Sequence, residues 1–459
     1  MHVNRTLNLR GIRAIGFDLD YTLVHYRTED WERLAFEHAR AGLARRGFPV
    51  EDLRFDPGLH TLGLVMDREL GNVVKANRFG FVKRAAHGTR LLDPEELRAT
   101  YARVQVDLSE PRWDFMNTLF SLSEAALFAG LVDLLDAGRL PPGLSPRELH
   151  QAVRESLDAA HFEGELKRDI LRDPARFVVP DPELPRALLD LRAAGKRLVV
   201  ITNSELAYAR PILEHALDPY LPRGGHRALF DLIVVSARKP DFFTGRSPLF
   251  EVVDDTGLLR ELRAVPSTGG TCLGGSARHV ERWLGCPPEE ILYVGDHLFT
   301  DVHVTKRLLR WRTALVLREL EGEVAAVARF RGAQAELDRL MAAKEALEGD
   351  ADRLRLAALR AEEETNPPGP APDPARLREL RAAIRELDQK IGPLSAAAST
   401  LGNPRWGLLF RAGNDKSHLA RQVERYADVY TARVANFLDV TPFAFLRSGR
   451  GGLPHDPPG

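Results

Sequence analysis

The chain has 459 residues, a formal net charge of −1, and 44% hydrophobic and 28% charged residues. That length exceeds what one hydrophobic core organises, so two or three structural units are expected. The near-zero charge excludes a global field for nucleic acid or an anionic membrane, and Cys272 and Cys286 are too few for a disulfide framework or a complete zinc site.

At the N-terminus, Met1 to Gly16 is interrupted by Asn4, Arg5, Asn8, Arg10 and Arg13, so it lacks a signal-peptide core. No apolar run along the chain approaches a membrane span. The expected location is therefore cytoplasmic. Ala14–Leu19 reads as the first buried strand. The next strand, Arg197–Ile201, follows only after roughly 180 residues, too many for one crossover helix. An inserted, mostly helical unit is expected between Val24 and Arg176, with candidate helices at Trp31–Arg46, Leu119–Leu135 and Pro146–Ala160. A helical stretch at Leu184–Ala194 precedes the second strand, and Leu232–Val235 is the third. Gly269–Gly275 is glycine-rich but lacks a Gly-Lys-Ser/Thr ending, so it reads as a turn before a helix at Ser276–Leu284 and not as a P-loop. Ile291–Val294 and Thr313–Leu317 complete five short parallel strands. Strands alternating with helices imply an α/β, doubly wound parallel sheet.

Beyond the last strand the composition changes. Glu319–Glu364 is rich in Ala, Leu, Arg and Glu, and the proline-rich run Asn366–Pro372 must break a helix. Leu380, Ile384, Leu387 and Ile391 then form one apolar seam, which predicts a helical hairpin. The tail carries Trp406, Phe410, Tyr426, Tyr430, Phe437, Phe443 and Phe445 and is expected to dock, with a disordered end from Gly449. The expected units are residues 1–30 with 176–320 as core, 31–175 as inserted cap, 321–400 as hairpin, and 401–459 as docking tail.

The strand ends carry the chemistry. Asp18 and Asp20 are two apart at the end of the first strand and project to one face, where open α/β sheets bind ligands. Two carboxylates this close repel unless a cation or a shared proton offsets them, and Mg²⁺ favours such oxygens. The second strand runs into Thr202-Asn203-Ser204, whose hydroxyl and backbone N–H groups suit phosphate oxygens or a helix cap. The third leads to Ser236-Ala237-Arg238-Lys239-Pro240, and the fourth to Gly295-Asp296, followed by Asp301. Acid, hydroxyl, lysine and acid at four successive strand ends form a coherent set. His297 and His303 lack metal-ligand spacing. Arg154, Asp158 and His161 share one helix face beside Phe162, a pattern that also suits an exposed ion pair.

This ordered set resembles the haloacid dehalogenase superfamily of phosphohydrolases. Val3-Asn4-Arg5-Thr6-Leu7, Gly16 through Leu23, Asn117-Thr118-Leu119-Phe120, Ala237-Arg238-Lys239-Pro240 and Tyr293 through His297 resemble the cytosolic purine 5′-nucleotidase family. Gly274-Gly275-Ser276, Trp311-Arg312-Thr313 and Arg425-Tyr426-Ala427-Asp428 extend the similarity over nearly the whole chain.

The resemblance implies a haloacid dehalogenase-like core with a cap, and Mg²⁺-dependent hydrolysis of nucleoside 5′-monophosphates, with IMP or GMP favoured. It implies Asp18 as nucleophile, Asp20 as general acid and base, Thr202 and Lys239 on the phosphoryl group, and Asp18, Asp20 and Asp296 at the metal. Asp301 would act behind them. Asn117, Phe120, Arg154, Asp158, His161 and Phe162 align with purine-holding positions, Phe162 replacing a usual tyrosine. Lys167 matches a lysine near the phosphate, and Asn203 and Ser204 complete the substrate contacts. Phosphotransfer to nucleosides and a homo-oligomer, a tetramer in the family, are further implications. Two other readings stay open: a phosphatase for another small phosphate ester, and a non-catalytic nucleotide-binding scaffold.

Overall fold

A computed structural model describes residues 1–162, 164–253, 258–267, 269–362 and 373–449. The chain divides into two compact units, one formed by Met1–Leu320 with Leu409–Gly459 and the other by Glu321–Leu408.

The first unit is built on a ten-stranded sheet. Ala14–Phe17 lies at its centre, parallel to Arg197–Ile201 on one side and to Ile291–Gly295 on the other. From Arg197–Ile201 the sheet continues in parallel through Leu232–Val235 and Gly270–Gly274. The chain then returns to the opposite side through Ile291–Gly295, Arg312–Val316 and Val429–Thr431. Ala14–Phe17 is thus the point where strand order reverses, and the crevice at such a switch point is where open α/β sheets bind ligands. The strand residues are mainly Ile, Leu and Val, buried along their length, because helices cover a parallel sheet on both faces.

The glycine-rich segment forms a strand, Gly270–Gly274, in place of the expected turn. Antiparallel pairs extend the sheet at both edges: Leu249–Val252 and Leu259–Leu262 at one, His2–Val3 at the other. The edge strands are short and mixed in polarity, so continuous apolar runs do not reveal them.

The insertion leaves and returns through a two-stranded stalk, His25–Tyr26 paired with Val178–Val179. It contains the helices Thr28–Arg45, Ser121–Asp136 and Pro146–Phe162 near the expected positions. It also contains a five-stranded antiparallel sheet, Val65–Asp67 to Trp113–Phe115, that periodicity did not reveal. Its strands bury polar side chains. Tyr101 Oη donates to Asp67 at 2.9 Å, Arg112 Nε donates to Asp67 at 2.9 Å, and Asn72 Nδ2 donates to Tyr101 Oη at 2.7 Å. A buried polar network of this kind erases the apolar alternation that marks a strand.

The tail closes the first unit by tying the chain ends together. Asn4 Nδ2 donates to the carbonyls of Val423 and Ala427, and Arg5 donates to those of Glu424, Arg425 and Ala427. These are terminal carbonyls of the His418–Tyr426 helix, where cationic donors are favourable. The buried Asp428 carboxylate accepts from Lys306, from Arg312 and from the Thr313 N–H, and the Arg312 and Lys306 cations hold it below the usual carboxylate range despite burial. Phe437 is buried, but Phe443 and Phe445 are exposed, so the aromatic tail docks only in part.

In the second unit, Leu320–Glu362 and Pro374–Ser399 are long helices packed through Leu337, Leu340 and Ile391, while Met341 faces outward. The proline-rich breaker and the last ten residues lie outside the described residues. Among the described residues no helix is long and apolar enough to cross a membrane.

Candidate active site

Strand register brings the first set of side chains together. Phe17 pairs with Val200 on one side and Val294 on the other, so the central strands end level. The ladder runs one residue further through Asp18 N–H to Val294 O at 2.9 Å and Thr202 N–H to Val234 O at 2.9 Å. Asp18, Thr202, Lys239 and Asp296 therefore leave adjacent strand ends into one crevice. The turns that follow are tightly wound: Tyr21, Ser236 and Arg238 all have positive φ without being glycine. Such conformations persist only where the surroundings enforce them.

Lys239 is the buried cation at the centre. Its Nζ lies 2.7 Å from Asp18 Oδ1 and 2.9 Å from Asp301 Oδ1, and donates to Tyr293 Oη at 3.3 Å. Asp18 Oδ1 also accepts the Leu19 N–H at 2.7 Å, so both contacts fall on one oxygen. Asp301 is fully buried against Gly295, where any Cβ would meet the Asp301 carboxylate at 2.5 Å. Glycine is required there by close approach. Tyr293 fixes the floor by donating to the Ile201 carbonyl at 3.1 Å.

The charge balance is unfavourable as it stands. Ligand oxygens of Asp18, Asp296 and Asp301 all lie within 4.8 Å of one another. Burial, then the neighbouring Asp18 and Asp301, push Asp296 well above the carboxylate range. Burial pushes Asp18 up to about 7 against the opposing pull of Lys239. Burial alone would lower Lys239, but Asp18 and Asp301 outweigh it and keep the ammonium charged. Three carboxylates facing one ammonium leave negative charge that a divalent cation would offset, and their hard oxygens suit Mg²⁺. The residues present fit such an ion. Thr118 Oγ1, which reaches Asp296 Oδ2 at 3.4 Å, adds a hydroxyl from the insertion.

A second cluster surrounds Asp20. Tyr26 Oη donates to its Oδ1 at 2.5 Å and Ser204 Oγ to its Oδ2 at 2.7 Å. Lys167 Nζ donates to Ser204 Oγ at 3.3 Å and lies 5.0 Å over the Tyr208 ring. Burial and the adjacent Asp20 push the Tyr26 phenol well up, so it remains a donor. Thr202 is buried and its Oγ1 accepts the Ser204 N–H at 2.9 Å. Asn203 does not cap the following helix. Its side chain donates to the Lys239 carbonyl at 3.1 Å and accepts the Lys239 N–H at 2.5 Å, bracing the third loop against the second.

The residues expected to read a base are more dispersed. Asn117 Nδ2 donates to the Phe115 carbonyl at 3.2 Å, while its Oδ1 is buried without a hydrogen bond. Phe120 packs edge-on against Tyr21 and Trp31 at 4.9 and 5.5 Å and is half-buried. Arg154 is paired with Asp114 at 2.7 Å, and Asp158, on the same helix, is exposed. Asp114 and Glu124 flank the buried His150 at 3.3 and 3.1 Å, forming a charge cluster that Arg154 completes. The side chains of His161 and Phe162 lie outside the described residues. His297 accepts the Thr300 N–H at 3.0 Å and His303 packs tilted against Tyr426 at 4.2 Å, structural roles that match their lack of ligand spacing.

Sequence reasoning missed Tyr26, Tyr208 and the Asp114–Glu124–His150 group, and met Thr118 and Tyr293 only as members of the family-like motifs, without a role. Tyr208 had a local signal too, standing four residues after Ser204 at the start of the Leu206–Ala216 helix.

A 5′-nucleotidase domain-containing protein of Dictyostelium discoideum is 27% identical over 474 aligned residues, covering 99% of this chain and 74% of that protein. Human 5′-nucleotidase domain-containing protein 2 is 26% identical, covering 100% of this chain and 85% of its own. Among solved structures, a haloacid dehalogenase-like family hydrolase from Xanthomonas campestris aligns at 16% identity over 66% of this chain and 82% of that chain, with a TM-score of 0.26. The model of the 5′ nucleotidase family matches residues 1–458, and the chain belongs to that family.

Proposed function

We propose that the chain hydrolyses nucleoside 5′-monophosphates through an aspartyl-phosphate on Asp18, with 6-oxopurine nucleotides as preferred substrates. The observation that carries this reading is the convergence of Asp18, Thr202, Lys239 and Asp296 at one switch-point crevice in a member of the 5′ nucleotidase family. Asp18 attacks phosphorus in line. The P–O5′ bond breaks, and Asp20 gives its proton to the departing oxygen. Water then attacks the acyl-phosphate, Asp20 takes a proton from it, and inorganic phosphate leaves. Thr202 and Lys239 bind the phosphoryl oxygens as charge redistributes. Asp301 fixes Lys239 from behind.

Asp18, the Asp20 carbonyl and Asp296 would hold Mg²⁺, which when bound supplies charge neutralisation at the transferring group. Lys167, Asn203 and Ser204 line the phosphate side. Asn117, Phe120, Arg154, Asp158, His161 and Phe162 stand on the cap side as the proposed base-reading group. There Arg154 and Asp158 would offer a donor and an acceptor to a 6-oxopurine edge, which rejects a base that leaves them unpaired. A nucleoside hydroxyl replacing water in the second step would give phosphotransfer.

The test is phosphate release from IMP, GMP, AMP, CMP and a sugar phosphate, with and without Mg²⁺, by wild type and Asp18→Asn. The expected result is Mg²⁺-dependent release from IMP and GMP that disappears in the variant. Faster turnover of the sugar phosphate than of IMP would overturn the nucleotide assignment. Nucleotide binding without any phosphate release would favour a binding scaffold instead.

A further inference from the structure

We propose that Tyr26, backed by Tyr208, is a positioning residue that aims the Asp20 carboxyl at the leaving oxygen. The inference rests on the role of Asp20 in the reaction above and adds two residues that act through it. Asp20 is held on both oxygens, by Tyr26 Oη at 2.5 Å and by Ser204 Oγ at 2.7 Å. Tyr26 and Tyr208 hydroxyls are 3.0 Å apart. A phenol has one hydrogen to give, and Tyr26 gives its hydrogen to Asp20, so the hydrogen between the two phenols comes from Tyr208. On the other side, Lys167 Nζ donates to Ser204 Oγ, which leaves the serine hydrogen for Asp20. Two donor relays thus end on one carboxyl group.

This clamp has two consequences. It prevents the carboxyl from rotating, and a fixed proton direction removes orientational freedom from the transfer step. It also acts more strongly in the transition state. As the Asp20 O–H bond breaks and the H–O5′ bond forms, negative charge grows on the carboxyl oxygens, and hydrogen bonds to a charged acceptor are about twice as strong as neutral ones. Tyr26 lies on the stalk, in the His25–Tyr26 strand paired with Val178–Val179, whereas Tyr208 lies on a core helix. The clamp therefore joins the root of the insertion to the catalytic turn. Tyr26 is buried against Tyr21 and Trp31, contacts that a phenylalanine would keep.

A merely structural role would slow every substrate alike, whereas positioning an acid matters only when the leaving group needs a proton. Nucleoside alkoxide needs one; p-nitrophenolate leaves without. First-turnover phosphoryl transfer from IMP and from p-nitrophenyl phosphate should be measured by rapid quench on the full-length protein with Mg²⁺. Tyr26→Phe should slow transfer from IMP by roughly tenfold to a hundredfold, with KM unchanged, and leave the p-nitrophenyl phosphate burst at the wild-type rate. Tyr208→Phe, which spares the hydroxyl on Asp20, should show the same selectivity at smaller size, and decides the matter if Tyr26→Phe folds poorly. Equal slowing of both substrates, or no slowing of either, would overturn the inference. The reading beneath it is checked separately: wild type inactive on IMP, or Asp20→Asn slowing both substrates equally, would remove the role of Asp20 itself.

Discussion

Replacing Lys239 with methionine keeps the length of the side chain and removes the cation from the centre of the site. The Lys239 Nζ lies 2.7 Å from Asp18 and 2.9 Å from Asp301, with the lysine side chain only 3% exposed. At an effective dielectric of about 20, each contact is worth roughly 6 kcal/mol before desolvation is counted. Desolvation and partial protonation of the carboxylates offset much of this, and removing one partner of a buried pair costs about 3–5 kcal/mol in practice. Without added divalent cation, Lys239→Met should therefore melt well below wild type. A cation binding among the remaining carboxylates meets less positive charge in the variant, so Mg²⁺ should raise its melting temperature more than that of wild type. Catalysis should still suffer, because a donor to the phosphoryl oxygens is gone, and kcat/KM for IMP should fall by roughly a hundredfold to a thousandfold. Thermal melts with and without Mg²⁺ and steady-state phosphate release check these expectations together. Activity within about threefold of wild type, or an identical Mg²⁺ shift in both proteins, would refute the electrostatic reasoning.

Two other perturbations test separate parts of the fold. A methyl at Gly295 would stand 2.5 Å from Asp301 Oδ2 and 2.6 Å from its Cβ and Cγ, so Gly295→Ala should displace the partner of Lys239 and lower kcat by roughly tenfold to a hundredfold. Unchanged kinetics would show that Asp301 does not hold the lysine in place. Burial pushes Glu32 up from 4.5 to about 8, against the Ser123 N–H that it accepts. The folded chain therefore holds a proton that the unfolded chain releases between those values, and stability falls as pH rises through that window. Glu32→Gln keeps the acceptor and removes the slope. Its melting temperature should gain on wild type from about pH 5 to pH 8, by on the order of 4 kcal/mol in stability at the upper end, and a pH-independent difference would contradict the assignment.

The core was legible in the sequence because its parallel strands are covered on both faces and read as unbroken apolar runs. Arg197–Ile201 and Leu232–Val235 match their expected bounds residue for residue. The crevice was legible for a related reason: chemistry sits one or two residues beyond such a run, where Asp18, Thr202 and Asp296 stand. The inserted sheet was not, since Asp67, Asn72 and Lys75 are polar residues buried within its strands. Gly270–Gly274 reads as a turn, yet pairs as a strand with Leu232–Val235. Contacts between distant segments were the least accessible. Nothing near Asp20 announces that Tyr208 backs its clamp, and nothing near Arg154 announces Asp114 as its partner.

The most direct test is to trap the covalent phosphate. Wild type and Asp18→Asn should be mixed with IMP carrying ³²P in its 5′-phosphate and with Mg²⁺, quenched in acid within the first turnover, and digested for peptide mapping. The expected result is acid-stable label on the peptide containing Asp18 in wild type and none in the variant. Label on another residue, or full phosphate release by Asp18→Asn, would contradict the role assigned to the first strand end.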